Sequence, residues 1–213
     1  MMKFKNMIFG ALAFIFVMST PMAKGEVVRV TFLGNSGVGK TCLIQRITTG
    51  SYFDPRWTTV GAANNLLLGT NVNLDIWDTA GLERYKLLSL CHARRSKVVV
   101  IVFSVADSDS FGATNYWLHS LGNYVNLKDT KFILVANKVD LVVGALEPFM
   151  KNTGKKAEDL GGMPYYLCSA KNGFGVDELK KKIFEIAVAC SLETEELHGD
   201  LETVELHEDR KCC

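Results

Sequence analysis

The sequence predicts a single α/β domain: a doubly wound, mostly parallel six-stranded sheet with helices on both faces. Three observations lead there. Apolar runs continue without alternation, as in Val98–Val105 (VVVIVFSV) and Phe132–Ala136 (FILVA), which marks strands covered on both faces. These runs alternate with stretches of helical character. Glycine-rich or turn-type residues follow the runs, where such a sheet presents its ligand loops.

Taken in order, Val27–Leu33 is a β-branched apolar run and reads as a buried strand. A glycine loop follows, then a helix over Lys40–Thr49 with Leu43, Ile44 and Ile47 on its apolar side. Leu66–Leu68 and Val72–Trp77 read as two strands around a tight Gly69-Thr70-Asn71 turn. Val98–Val105, Phe132–Ala136 and the shorter Tyr165–Cys168 complete the six strands. Helices are expected over about 84–95, 109–125, 148–160 and 176–190; in the last, Val176, Leu179, Ile183 and Ile186 form a stripe. There is no internal repeat and no second domain, as a length of 213 residues suits.

Composition narrows the function classes. Apolar residues are 48% and charged residues 22%, so a core can be buried and wholesale disorder is excluded. Lys+Arg number 24 against 23 Asp+Glu, a net charge of +1, which argues against a nucleic-acid binder. The balance is a cancellation. Residues 1–25 carry three bases (Lys3, Lys5, Lys24) and no acid, and residues 191–213 carry eight acids and two bases. Residues 26–190 hold the remaining 19 bases and 15 acids. Cys42, Cys91, Cys168 and Cys190 stand singly among apolar residues and read as buried thiols; no CxxC spacing suggests a zinc site. His92, His119, His198 and His207 form no catalytic or metal pattern and read as surface residues.

The chemistry lies in the loops. Gly34-Asn35-Ser36-Gly37-Val38-Gly39-Lys40-Thr41 fits GxxxxGK[ST] between a strand and a helix, the P-loop NTPase arrangement. Its glycines let backbone N–H groups and the helix N-terminus surround phosphates, with Cys42 next along that helix. Lys40 would reach the β- and γ-phosphates and Thr41 would bind Mg²⁺. Asp78, in Trp77-Asp78-Thr79-Ala80-Gly81 at the end of the third strand, is the expected Mg²⁺ partner through water, and the Gly81 N–H could meet a γ-phosphate. Asn137-Lys138-Val139-Asp140 follows the FILVA strand: a carboxylate such as Asp140 accepts from both N1–H and the 2-amino group of guanine, and the Lys138 stem can lie along the ring. Ser169-Ala170-Lys171 follows the next strand, where a backbone N–H could donate to the guanine carbonyl. Singly, Asp78 also suits a helix N-cap, Asn137 an Asx turn and Lys171 a solvated position; the four motifs in sequence are far more specific.

In this order, each at a strand end, the motifs resemble those of the Ras-superfamily small GTPases over residues 26–190. The Trp of WDTAG, the following Glu83-Arg84-Tyr85 and the terminal Cys212-Cys213 are most similar to Rab. The resemblance implies a GTP/GDP-binding switch in vesicle-mediated membrane trafficking that hydrolyses GTP with Mg²⁺ and works as a monomer. It implies an exchange factor, a GAP, a GDP-dissociation inhibitor or prenylation escort protein, and effectors as partners, with geranylgeranylation of Cys212 and Cys213 as the membrane anchor. It makes Thr59 the switch I threonine that completes the Mg²⁺ shell, and places Tyr52 at the guanine edge. Trp77 and Tyr85, with Asn64, would form the surface read by effectors.

The chain departs from that pattern in four places. Leu82 stands where the family has the glutamine that orients the attacking water, and a leucine side chain has neither donor nor acceptor. Slow intrinsic hydrolysis and a GTP-locked, effector-recruiting module both follow from it, whether the leucine is natural or deliberately introduced; Rab-type GAPs supply an arginine and a glutamine in trans, so assisted hydrolysis can survive. Asn64 replaces the usual phenylalanine of the effector surface. The hairpin between Thr59 and Asp78 is a few residues shorter than usual, which reads as a trimmed turn. Last, residues 1–25 are signal-like: two lysines precede Met7–Met18, twelve residues with no polar side chain, too short for a span of roughly 20. A signal peptide implies a secreted or lumenal GTP-binding protein, away from prenylation enzymes. The tail, a flexible acidic arm over 191–213 ending in Cys-Cys, implies the cytoplasmic face of internal membranes. The tail agrees with the nucleotide motifs and the head does not, which favours a functional start near Met22.

Overall fold

The structure, a computed structural model, describes residues 26–54, 58–122, 129–142 and 147–208. The apolar head over 1–25, residues 123–125 of the expected third helix, and Cys212 and Cys213 lie outside them. Along the chain run β1 (Glu26–Leu33), α1 (Lys40–Thr49), β2 (Ala62–Leu67), β3 (Val72–Thr79), a 3-10 turn (Glu83–Tyr85) leading into α2 (Lys86–Ala93), β4 (Val98–Ser104), α3 (Ser108–Leu121), β5 (Lys131–Asn137), a second 3-10 turn (Val139–Leu141), α4 (Glu147–Asp159), β6 (Tyr165–Leu167) and α5 (Val176–Glu208).

The sheet has the order β2-β3-β1-β4-β5-β6. Among the described residues only β2 is antiparallel to its neighbour, with Asn64 opposite Trp77; the other pairings are parallel. Strand β4 shows why its run is continuously apolar. All seven of its residues are buried. Val98, Val100 and Val102 join the core under α1 and α5, while Val99, Ile101 and Phe103 join the core under α2 and α3. Helix α3 starts at Asp107, whose carboxylate accepts from the backbone N–H groups of Asp109 and Ser110 at 3.0 and 3.2 Å. Parallel order brings the C-terminal ends of β1, β3, β4 and β5 to one edge, and the four motif loops leave from that edge or from the adjoining end of β6.

Helix α5 is 33 residues long and runs through Glu208, into the acidic stretch from residue 191, which is rich in leucine and glutamate, strong helix formers. Two expectations are corrected. Of the four thiols expected to be buried, Cys168 and Cys190 are; Cys42 is half-buried and Cys91 is exposed. Helix α2 turns Leu90 and Ala93 inward, which leaves Cys91 on its outer side. His92 is not a free surface residue: it is half-buried with its ring stacked on Trp77, centroids 4.4 Å apart.

Candidate functional site

The loop between β1 and α1 closes around a buried lysine. Lys40 is 6% exposed, and its Nζ donates to the carbonyls of Gly34 and Asn35, both at 2.9 Å. Burial drives its pKa from 10.5 down to about 8, with Asp78 pulling the other way. An ammonium held against two carbonyls, with its charge poorly compensated, suits an arriving anion such as a phosphate. Val38 packs its side chain wholly in the core, so only its backbone is available to a ligand. Asn35 accepts from the indole N–H of buried Trp117 at 3.2 Å, which ties the loop to α3. Sequence pattern did not reveal that tie, because Trp117 reads as an ordinary core position.

Thr41, Thr59 and Asp78 come together although 18 and 37 residues separate Thr41 from the other two. The Thr41 hydroxyl donates to Asp78 Oδ2 at 2.6 Å and lies 2.9 Å from the Thr59 hydroxyl; Thr59 also donates to Oδ2 at 3.4 Å. Asp78 is 4% exposed, and its Oδ1 has no hydrogen-bond partner among the described residues. Burial raises its pKa, against the bonds from Thr41 and Thr59 and the charge of Lys40. A buried carboxylate with a vacant oxygen beside two hydroxyls is a hard-oxygen donor set. It fits Mg²⁺, which keeps waters and uses one or two carboxylates with substrate phosphates. Among the described residues no group of three or more His, Cys, Asp or Glu side chains offers another metal site.

Gly81 lies hard against the phosphate loop: a Cβ there would overlap the Ser36 backbone nitrogen, so this approach requires glycine. Leu82 follows in extended conformation, half-buried.

The remaining loops are joined by Asn137, which is 1% exposed. Its Nδ2 donates to the Val38 carbonyl at 2.9 Å, and its Oδ1 accepts from the Ala170 N–H at 3.2 Å. Lys138, in left-handed conformation with φ 66°, turns the chain so that Asp140 meets Ser169, whose hydroxyl donates to Asp140 Oδ1 at 2.6 Å. Lys171 is exposed at the loop's outer end. Arg46 of α1 also braces this loop, donating to the Ala170 and Lys171 carbonyls at 2.9 and 2.6 Å. Nothing in the sequence marks Arg46, since its partners are more than 120 residues away.

Between these loops lies a cavity of about 280 Å³. Ser36, Gly37, Gly39, Lys40, Thr41, Cys42, Tyr52, Thr59, Gly81 and Lys138 line it, together with Asp54 and Thr58, which sequence reading had not singled out. Tyr52 is 37% exposed at its rim.

Away from this cavity, Trp77 and Asn64 meet through Asp75. That carboxylate accepts from Trp77 Nε1 at 2.7 Å, Arg29 Nε at 3.0 Å and Asn64 Nδ2 at 3.3 Å. The Arg29 guanidinium lies over the Trp77 ring, 4.9 Å from its centroid. Trp77 is therefore held in a polar clasp, with Tyr85 half-buried on the turn that follows.

The Ras family model matches residues 29–189. The chain is 33% identical over 154 residues to the GTP-binding protein YPTM2 of Zea mays, covering 70% of this chain and 74% of that protein. It is 32% identical over 154 residues to the Ras-related protein RABD2c of Arabidopsis thaliana, covering 70% and 75%. The match to the Ras-related protein Rab-1D of Dictyostelium discoideum is 32% over 154 residues, covering 70% and 74%.

Proposed function

The chain belongs to the Ras family as a Rab-like small GTPase, and on that premise we propose that it is a slowly hydrolysing GTP/GDP switch of intracellular membrane trafficking. The observation that carries the site assignment is the convergence of Thr41, Thr59 and the vacant Asp78 oxygen beside buried Lys40. Backbone N–H groups of residues 34–42 cradle the phosphates, Lys40 neutralises them, and Gly81 donates to the γ-phosphate. Thr41 and Thr59 hold Mg²⁺, with Asp78 acting through water. Held there, Mg²⁺ would supply positive charge that offsets the charge developing on the phosphates.

Base selection falls to Asp140, which accepts from N1–H and the 2-amino group of guanine. Ser169 orients that carboxylate, the Ala170–Lys171 backbone faces the guanine carbonyl, and Tyr52 and Lys138 flank the ring. Asn137 binds no base atom in this reading: both ends of its amide are engaged by Val38 and Ala170, so it locks the two recognition loops together.

Leu82 cannot orient a water molecule. Intrinsic hydrolysis is slow, and a GAP that brings its own glutamine and arginine restores it. Single-turnover GTP hydrolysis tests this: Leu82→Gln should speed the intrinsic step at least tenfold, and an unchanged rate would remove leucine as the cause. Leu82 also favours a second reading, a GTP-locked module whose output is only a recruited effector; failure of any GAP domain to accelerate hydrolysis would select it. Effectors meet Trp77, Tyr85 and Asn64. The protein acts on the cytoplasmic face of internal membranes, anchored by lipid on Cys212 and Cys213, and exchanges with cytosol through an escort or dissociation inhibitor. Among the described residues no helix is long and apolar enough to cross a membrane.

A further inference from the structure

We propose that the hollow between α2 and the adjoining face of β1 and β3 receives an acidic segment of a protein partner, whose carboxylates pair with Arg94 and Arg95 while an apolar side chain settles against Leu88 and the Trp77 indole. The hollow holds about 680 Å³, and Arg29, Trp77, Leu88, His92, Arg94 and Arg95 line it. No acidic side chain does. Asp75, close by, is already engaged by Arg29, Trp77 and Asn64. Arg94 and Arg95 are exposed, and among the described residues neither enters an ion pair. Between Glu83 and Asp107 the sequence carries five bases and no acid, so the local chain supplies no counter-charge.

Basic residues past a helix C-terminus complement its dipole. That accounts for Arg94 and Arg95, but not for Arg29 lining the same hollow from β1, nor for Leu88, 43% exposed on its wall. Guanidinium groups bind carboxylates through paired N–H donors, and arginine beside an indole in a recess is the composition of an interface anchor. The recess selects a protein segment over a lipid surface. A flat layer of anionic headgroups reaches Arg94 and Arg95 but leaves the space between Leu88 and Trp77 empty. His92 reports occupancy: burial, then the charges of Arg29 and Arg95, holds its pKa below the ordinary value, and carboxylates beside the arginines would relieve that repulsion. The proposal rests on the reading of Trp77 as an effector contact and gives that contact its chemistry.

Two short peptides test it by NMR on the full chain loaded with a non-hydrolysable GTP analogue. One is rich in glutamate with a central leucine; the other has glutamine for every glutamate. The acidic peptide should bind at least tenfold more tightly, shift the signals of Trp77, His92, Arg94 and Arg95, and raise the His92 titration midpoint. Arg94→Ala with Arg95→Ala should lose that preference while GDP release stays unchanged. Lys180→Ala with Lys181→Ala, an equal charge change on α5 at the other face of the sheet, should keep it. Equal affinity for the glutamine peptide at the same residues would overturn the proposal and leave the effector surface standing. Acidic-peptide binding that leaves Asn64 and Tyr85 unmoved would uphold it and narrow the effector surface to the hollow. Phosphatidylserine vesicles that depend on Arg94 and Arg95 more steeply than the peptide does would overturn it in favour of a membrane. So would shifts at the hollow that grow with protein concentration in the absence of peptide, which assign it to a second copy.

Discussion

Replacing Asn137 should destabilise the domain by about 3 kcal/mol and loosen the nucleotide together with it. The amide satisfies two buried backbone groups, the Val38 carbonyl and the Ala170 N–H, at 2.9 and 3.2 Å. Val38 is 0% exposed and Ala170 4%, so Asn137→Ala leaves both groups without a partner in a dry setting. Each orphan costs about 1–3 kcal/mol. Two give roughly 2–6 kcal/mol, and water entering from the adjoining cavity brings the sum toward the lower half of that range. Asn137→Asp separates hydrogen bonding from volume. It keeps an acceptor for Ala170 but turns an oxygen toward the Val38 carbonyl, so it should fare no better than alanine. Urea unfolding of the GDP-loaded protein gives the number, with the slope m unchanged if the denatured state is the same. Nucleotide release should quicken at least tenfold in both variants, because the phosphate and base loops are no longer joined. An aspartate variant within 1 kcal/mol of the parent would refute the idea that this amide holds the two loops.

Two further outcomes follow from the same geometry. With its folded pKa lowered to about 8 from 10.5, Lys40 sheds its proton before the unfolded chain does, so between those values stability rises with pH. From pH 8 to 9 the nucleotide-free protein should gain about 1 kcal/mol relative to Lys40→Met, measured by denaturant unfolding, and the gain should vanish when phosphates hold the lysine charged; parallel curves would contradict the burial argument. Chelating Mg²⁺ should speed nucleotide release at least tenfold in the parent and far less in Asp78→Ala, followed with a fluorescent GDP; an equal response in both would remove Asp78 from the metal shell.

Much of this was legible in the sequence because the relevant signals are local. The β4 run reads as a doubly covered strand because each residue from Val98 to Phe103 meets one core or the other. The phosphate loop reads from its own eight residues. What escaped depends on distant partners. Arg46 gains its role from carbonyls across the domain, and Trp117 from Asn35, 82 positions away. His92 looked free until α2 laid it on Trp77. Strand β2 begins at Ala62, earlier than the apolar pattern suggests, because Ala62-Ala63-Asn64-Asn65 is drawn into the sheet by its ladder with β3 rather than by its own propensity. Cys91 shows the opposite error: a thiol among apolar residues looks buried until helical phase puts it outside. The loop motifs mark Thr41 and Asp78 and the family resemblance adds Thr59, while the unpartnered Asp78 oxygen emerges only once the chain is folded.

Competition between guanine and adenine nucleotides measures the central claim. With Mg²⁺ present, unlabelled GDP should displace a fluorescent GDP at a concentration at least 10³-fold below that of ADP, since a site built to hydrogen-bond one base leaves buried groups unpaired against another. Asp140→Asn should erase that preference and favour xanthosine diphosphate, whose 2-oxo group accepts from the new amide. Equal competition by ADP, or an unaltered GDP preference in Asp140→Asn, would contradict the account.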